Sequence, residues 1–294
     1  RVLVKPLNIV WHHCANRQKS SRMSFITWTF DSQLPLDDLV LKTKPQSYAF
    51  GRRLYTFQIE QQKYWLKFHQ AHSYHVLEHA FLHELDFYQQ NSISRQQFIV
   101  PHRIIQFEQS TQFHELALSG QGLILVDTEN FFSCVPSDVG IIQQQILKAL
   151  ETLENMHQLG WVHGDLKVEH FRCYKNSCKL IDFEQSLKSS HIIQNLTATP
   201  HYMAPELFHA ERKTVQSDLY AFGIIVYEWL TETRLQAKTY HDWAVLHCQQ
   251  LQIQLPKQLE CFWPLLNGLM QKQVEQRFKS VSEAKHCLNS TILL

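Results

Sequence analysis

The sequence predicts an α+β fold of two lobes, a small β-rich one followed by a larger helical one. Runs of aromatic and bulky apolar residues separated by short breaks fill roughly residues 50–118, as half-buried strands do. The tetrapeptide Ser119-Gly120-Gln121-Gly122 then interrupts the pattern like a joint. Beyond it, apolar residues recur at helical spacing. A chain of 294 residues is long enough to bury a sizeable core in one or two domains.

The elements follow in order. Leu54, Tyr55 and Phe57 mark one strand, and Tyr64, Trp65, Leu66 and Phe68 the next. Ser73 is placed to cap a helix running to about Asn91, with Val76, Leu77, Ala80, Phe81 and Leu85 on one stripe. Strand-like runs follow at Phe98–Phe107 and His114–Leu118. After the joint, Ser137 is the expected cap of a helix whose stripe is Ile142, Ile146, Ala149, Leu150, Leu153 and Met156, closed by Gly160. His170–Tyr174 and Cys178–Phe183 read as a hairpin about Lys175-Asn176-Ser177, with the Cys173 and Cys178 thiols buried beside the turn. Ser217 is the expected cap of a helix apolar nearly all round, which belongs inside a core. Pro256 and Pro264 punctuate the remainder. The division is therefore 1–22, a basic, acid-free extension of unknown role; 23–118, the β-rich lobe; 119–122, the hinge; and 123–294, the helical lobe.

Composition removes other classes. Hydrophobic residues make up 44% and charged residues 19%, an ordinary globular balance rather than a disordered one. A net charge of +1 argues against a dedicated nucleic-acid binder, so no nucleic-acid partner is expected. Seven scattered cysteines, an odd number, point to a reducing compartment and a cytoplasmic protein. The longest strongly apolar stretch, Ala221–Tyr227, falls far short of the roughly 20 residues of a membrane span.

The chemistry lies in short motifs standing in one order. These are Tyr64-Trp65-Leu66-Lys67 with Glu84 on the next helix, then His163-Gly164-Asp165-Leu166-Lys167 and Asp182-Phe183-Glu184. Thr199-Pro200-His201-Tyr202-Met203-Ala204-Pro205-Glu206 and Ser217-Asp218-Leu219-Tyr220-Ala221-Phe222-Gly223 complete the series. Together they resemble the eukaryotic-type Ser/Thr protein kinases, as a divergent member, from about Leu39 to Leu288. The resemblance implies a two-lobed kinase-like fold that binds ATP with Mg²⁺ or Mn²⁺ and transfers its γ-phosphoryl group to a protein substrate. It gives Lys67 the phosphates and Glu84 the lysine, with Gly51 as the remaining glycine of a phosphate-binding loop. Asp165 is implied to orient the substrate hydroxyl, Lys167 to neutralise the transferring group, and Asp182 to hold the metal, with His170 assisting. Thr199 is implied to sit against Asp165 and Lys167, and Glu206 to pair with Arg277. Asp218 is implied to anchor the backbone of the loop that His163 opens.

The pattern is broken in places. Gln46 and Tyr48 stand where the loop would carry glycine, and a tyrosine there either folds over a nucleotide or blocks it. His170 replaces an asparagine, which implies one metal, a preference for Mn²⁺, or lost catalysis. Glu184 replaces a glycine; it is read as solvent-facing, with a surrogate ligand as the alternative. Gly164 replaces an arginine that reads a phosphorylated activation segment, so activity independent of that phosphorylation is expected. The competing functions are a pseudokinase that signals by binding and a small-molecule kinase; Ala204-Pro205-Glu206, a protein-docking platform, favours the protein kinase.

Overall fold

A computed structural model describes residues 2–6, 33–34, 39–91, 97–113, 116–189 and 198–291. They fold as two compact units. The first holds the described residues up to Leu85 together with Pro101–Asp127; the second holds Asp86–Val100 and the described residues from Thr128 onward. The expected hinge at 119–122 is corrected here: the boundary falls after Asp127, and 119–122 lies inside a strand. Gly120 and Gly122 pair there with Phe107 and Ile105, so these glycines serve a ladder and not a joint.

The first unit is built on an antiparallel sheet of β1 (Val2–Pro6), β2 (Gln33–Leu34), β3 (Val40–Leu41), β4 (Arg52–Ile59), β5 (Gln62–His69), β6 (His102–Phe113) and β7 (Leu116–Val126). Their order across the sheet is β2-β1-β6-β7-β5-β4-β3. Part of the expected 1–22 extension thus enters the sheet, Val4 pairing with Phe107; residues 7–22 lie outside the described residues. The expected strand at Phe98–Phe107 starts late, because 98–100 belongs to the second unit, where Ile99 bridges Leu180. Residues 114–115 of the next expected strand lie outside the described residues. Helix α1 (Pro45–Ala49) lies between β3 and β4. Helix α2 (His75–Asn91) is divided between the units after Leu85. Its buried stripe begins only at Phe81, since Val76 is exposed. Ser73 is not seen as its cap: the Tyr74 carbonyl accepts the first helical bonds, and Ser73 Oγ donates to the Gln70 carbonyl at 2.6 Å.

The second unit carries β8 (Glu129–Asn130), α3 (Val139–Gln158), β9 (Trp161–Val162), β10 (Phe171–Tyr174), β11 (Ser177–Leu180) and β12 (Leu187–Lys188). Helices α4 (Pro205–Phe208), α5 (Val215–Thr231), α6 (Tyr240–Val245), α7 (Trp263–Leu269) and α8 (Val281–Thr291) follow. The α3 stripe is buried throughout as expected, but its cap is Asp138, one residue beyond Ser137, accepting from Ile141 N. Helix α5 is capped by Thr214, with Ser217 at the third position returning the bond, so the expected cap is the second half of a capping box. Helix α5 is buried on most of its surface, and Phe222 and Trp229 join Phe132 and Phe171 in an aromatic core.

Strands β10 and β11 form a hairpin whose turn residues, Lys175 and Asn176, both have positive φ (48° and 62°), the conformation that matches strand twist in two-residue turns. The turn fixes the register Phe171 to Leu180 and Cys173 to Cys178. Strands β9 and β12 pair Val162 with Leu187 and so bring the start of the 163–167 loop beside residues 185–188. No helix among the described residues is long and apolar enough to cross a membrane.

Candidate active site

On the first unit, Lys67 lies near the end of β5, held in register between Leu54 of β4 and Leu123 of β7. Its Nζ meets Glu84 Oε2 at 2.6 Å, with both side chains buried. Burial demands that such an ammonium have a carboxylate, and the pairing fixes where the Lys67 head points.

The expected phosphate loop differs. Residues 45–49 form a helical turn, and Gly51 has φ +93°. A Cβ on Gly51 would fall 1.9 Å from Ser73 Oγ, so its missing side chain admits Ser73. This close approach of Ser73 is a reason for glycine there that the sequence did not suggest. Sequence reasoning also missed Arg53, which holds Tyr48. Its guanidinium lies 3.5 Å from the Tyr48 ring centroid and donates to the Tyr48 carbonyl at 2.7 Å and to Gln70 Oε1 at 2.9 Å. Cation–π stacking with two hydrogen bonds immobilises the ring.

On the second unit, the 163–167 loop is anchored from α5. Asp218 accepts from the backbone N–H of His163 at 2.8 Å and of Gly164 at 2.9 Å, and from His157 Nε2 at 3.0 Å. Burial pushes this carboxyl upward, but the His157 hydrogen bond, nearby histidines and the Gly164 N–H outweigh it and hold it below the usual range. His157 was not foreseen; at the end of α3 it reads as an ordinary helix terminus. His163 is fully buried, with Nε2 3.1 Å from the Ile181 carbonyl, so Nε2 carries the proton. Burial, helped by His170, drives its pKa down to about 4.

The loop presents Asp165 between two donors. Lys167 Nζ lies 3.0 Å from one carboxylate oxygen, and the backbone N–H of Thr199 donates to the other at 2.8 Å. The expected meeting of Thr199 with Asp165 therefore runs through the main chain. Burial works against the Lys167 charge, yet Asp165 in contact raises its pKa above the ordinary lysine value.

Asp182 follows β11 with a left-handed backbone, φ +66°, an uncommon state for a residue with a side chain. The hairpin sets His170 across from it, with Nε2 3.2 Å from Asp182 Oδ2. A carboxylate accepts, so His170 meets Asp182 as a donor in this arrangement, which places the expected assisting residue directly beside the expected metal-holding carboxylate. The Asp182 side chain is 32% exposed and offers hard oxygens of the kind Mg²⁺ and Mn²⁺ take. Phe183 is buried, stacked on Phe87 at 4.0 Å and flanked by Tyr88, Phe98 and the His163 ring. Glu184 is half-buried rather than solvent-facing as expected, with one carboxylate oxygen fully covered.

Deeper in the unit, Glu206 and Arg277 form a buried bidentate pair at 2.8 and 2.9 Å. Arg277 also donates to the carbonyls of Gln216 and Gln271 and lies over the Tyr220 ring.

An anchored loop aspartate, a second aspartate beyond a hairpin and a buried Glu–Arg clamp together define a protein-kinase-type fold. The model of the protein kinase domain matches residues 56–291, and the chain belongs to that family. Curated relatives are similar over shorter stretches. A probable serine/threonine-protein kinase of Dictyostelium discoideum is 30% identical over 99 residues, 33% of this chain and 7% of the relative. Smooth-muscle myosin light chain kinase of Gallus gallus is 32% identical over 108 residues, 34% of this chain and 6% of that one. The G2-specific protein kinase nim-1 of Neurospora crassa is 39% identical over 85 residues, 28% of this chain and 10% of the relative. The matched stretches are thus a tenth or less of these relatives' own length.

Proposed function

We propose that this chain is an ATP-dependent Ser/Thr protein kinase that transfers the γ-phosphoryl group to a protein substrate. The observation that carries the reading is Asp165, held between Lys167 and the Thr199 N–H on a loop that Asp218 anchors. A carboxylate so placed can orient a substrate hydroxyl and take up its proton, while Lys167 meets the charge of the group in transfer. Lys67, steadied by Glu84, is proposed to hold the phosphates. Asp182, steadied by His170, is proposed to hold Mg²⁺ or Mn²⁺. When bound, the metal supplies neutralisation of phosphate charge. The names of the relatives support Ser/Thr specificity, and the free cysteines among the described residues accord with a cytoplasmic setting.

The test is phosphate transfer from ATP to a generic protein substrate, with Mg²⁺ and then Mn²⁺, for wild type and Asp165→Ala. Transfer by the wild type and a loss of about 10²–10⁴-fold in the variant are expected. Full activity in Asp165→Ala would remove the site assignment. ATP binding without transfer under either metal would favour a pseudokinase.

A further inference from the structure

Lys213 lies in the loop between α4 and α5, within the run Glu211-Arg212-Lys213, which reads as a solvated charge cluster. It is nevertheless only 6% exposed. Its stem runs beneath the catalytic loop at Gly164, where φ is +77°. A Cβ built on Gly164 would meet the Gln185 carbonyl oxygen at 2.5 Å, Lys213 Cδ at 3.0 Å and Leu187 Cδ2 at 3.3 Å. The bare side of the loop is therefore filled, by a lysine and by the segment that leads away from Asp182. Lys213 Nζ lies 3.5 Å from Gln185 Oε1, and its charge is attracted by Asp165 and Asp218. The Lys213 stem thus packs against the catalytic loop at Gly164 beside residues 185–187, and its ammonium reaches the Gln185 side chain.

Volume alone does not account for a lysine there. An ammonium in this position loses hydration, and burial pushes its pKa down to about 8 although Asp165 and Asp218 pull the other way. Leucine or methionine would fill the same space without that cost. The retained charge therefore has work to do on its neighbours.

We propose that Lys213 is a positioning residue, a built-in cation that clamps the Asp165 loop against the segment following Asp182, so that no covalently added charge is needed to order the loop. The proposal rests on the kinase reading for its effect on turnover, but the clamp itself does not. The sign of its pH dependence is fixed. The Lys213 ammonium is charged below about pH 8 and is neutralised as pH rises through that value. Removing the buried charge relieves desolvation, so fold stability moves the opposite way and rises over the same window. Among the described residues near it, Lys167 is raised above the ordinary lysine value, His163 is pushed down to about 4, and Asp218 is held low, so none of these three switches in that range.

The test compares wild type with Lys213→Met in three measurements: thermal unfolding, amide hydrogen exchange, and steady-state transfer. Expected are a Tm equal to or above that of the wild type, and exchange of residues 163–167 and 183–187 faster by about 10-fold with other segments unchanged. A fall in kcat of about 10-fold is expected with KM for ATP held within about 2-fold. Unchanged exchange in those segments overturns the clamp, as does a global loss of protection with a lower Tm, the signature of a merely structural residue. A wild type that transfers no phosphate overturns the kinase reading, and the exchange comparison still decides the clamp.

Discussion

Replacing Arg277 with methionine is expected to lower the stability of the second unit by about 3–5 kcal/mol, the range for leaving one member of a buried ion pair without the other. Glu206, itself 6% exposed, would be left without the guanidinium that grips both of its oxygens at 2.8 and 2.9 Å. The carbonyls of Gln216 and Gln271 would lose a donor in the same step. For a unit of this size that corresponds to a fall in Tm of roughly 10 °C, read by calorimetry. Pairing Arg277→Met with Glu206→Leu should recover much of the loss, because an apolar pair of similar volume carries no desolvation penalty. A single variant melting within about 2 °C of wild type would mean the clamp is peripheral to stability.

Lys67→Met carries the second large effect, on turnover. The lysine head is fixed at 2.6 Å from Glu84, so phosphate would meet a cation already in place. Its loss is expected to lower kcat/KM for ATP by about 10²–10³-fold. Because the variant also takes the lysine partner from the buried Glu84 carboxylate, unfolding must be followed in parallel, and Lys67→Met with Glu84→Gln should regain stability while staying inactive. Wild-type turnover in Lys67→Met would take this lysine out of the site.

What could be read from the sequence was chemistry fixed by local order along the chain. Asp165, Lys167, Asp182 and Asp218 stand in short motifs, and Arg277 was linked to Glu206 by motif alone; the structure brings these partners together. What could not be read were contacts between side chains far apart in sequence or hidden in misleading surroundings. Lys213 sits in a run of charges that resembles surface, and only tertiary packing makes it 6% exposed. Arg53 and Tyr48 meet because α1 returns the chain onto β4, a fold-level event with no local pattern. The joint was misread for a simple reason: glycines end many elements, yet Gly120 and Gly122 lie within a paired strand. Capping was legible in kind and not in place, since Ser137 and Asp138, or Thr214 and Ser217, are chemically equivalent candidates.

The hairpin turn at Lys175 and Asn176 has a consequence for how this gene can vary. Surface turns are where lineages ordinarily gain and lose codons. Here a change in length that is not absorbed within the loop as a bulge would shift the β10–β11 register by one and turn each side chain of the slipped strand to the opposite face. Phe171 and Leu180, both 0% exposed, would no longer share the core. His170 and Asp182, which flank the hairpin and meet at 3.2 Å, would lose their alignment. The tip can therefore change its letters freely, provided both positions tolerate positive φ, but a change in its length must be taken up inside the loop for His170 and Asp182 to keep their alignment.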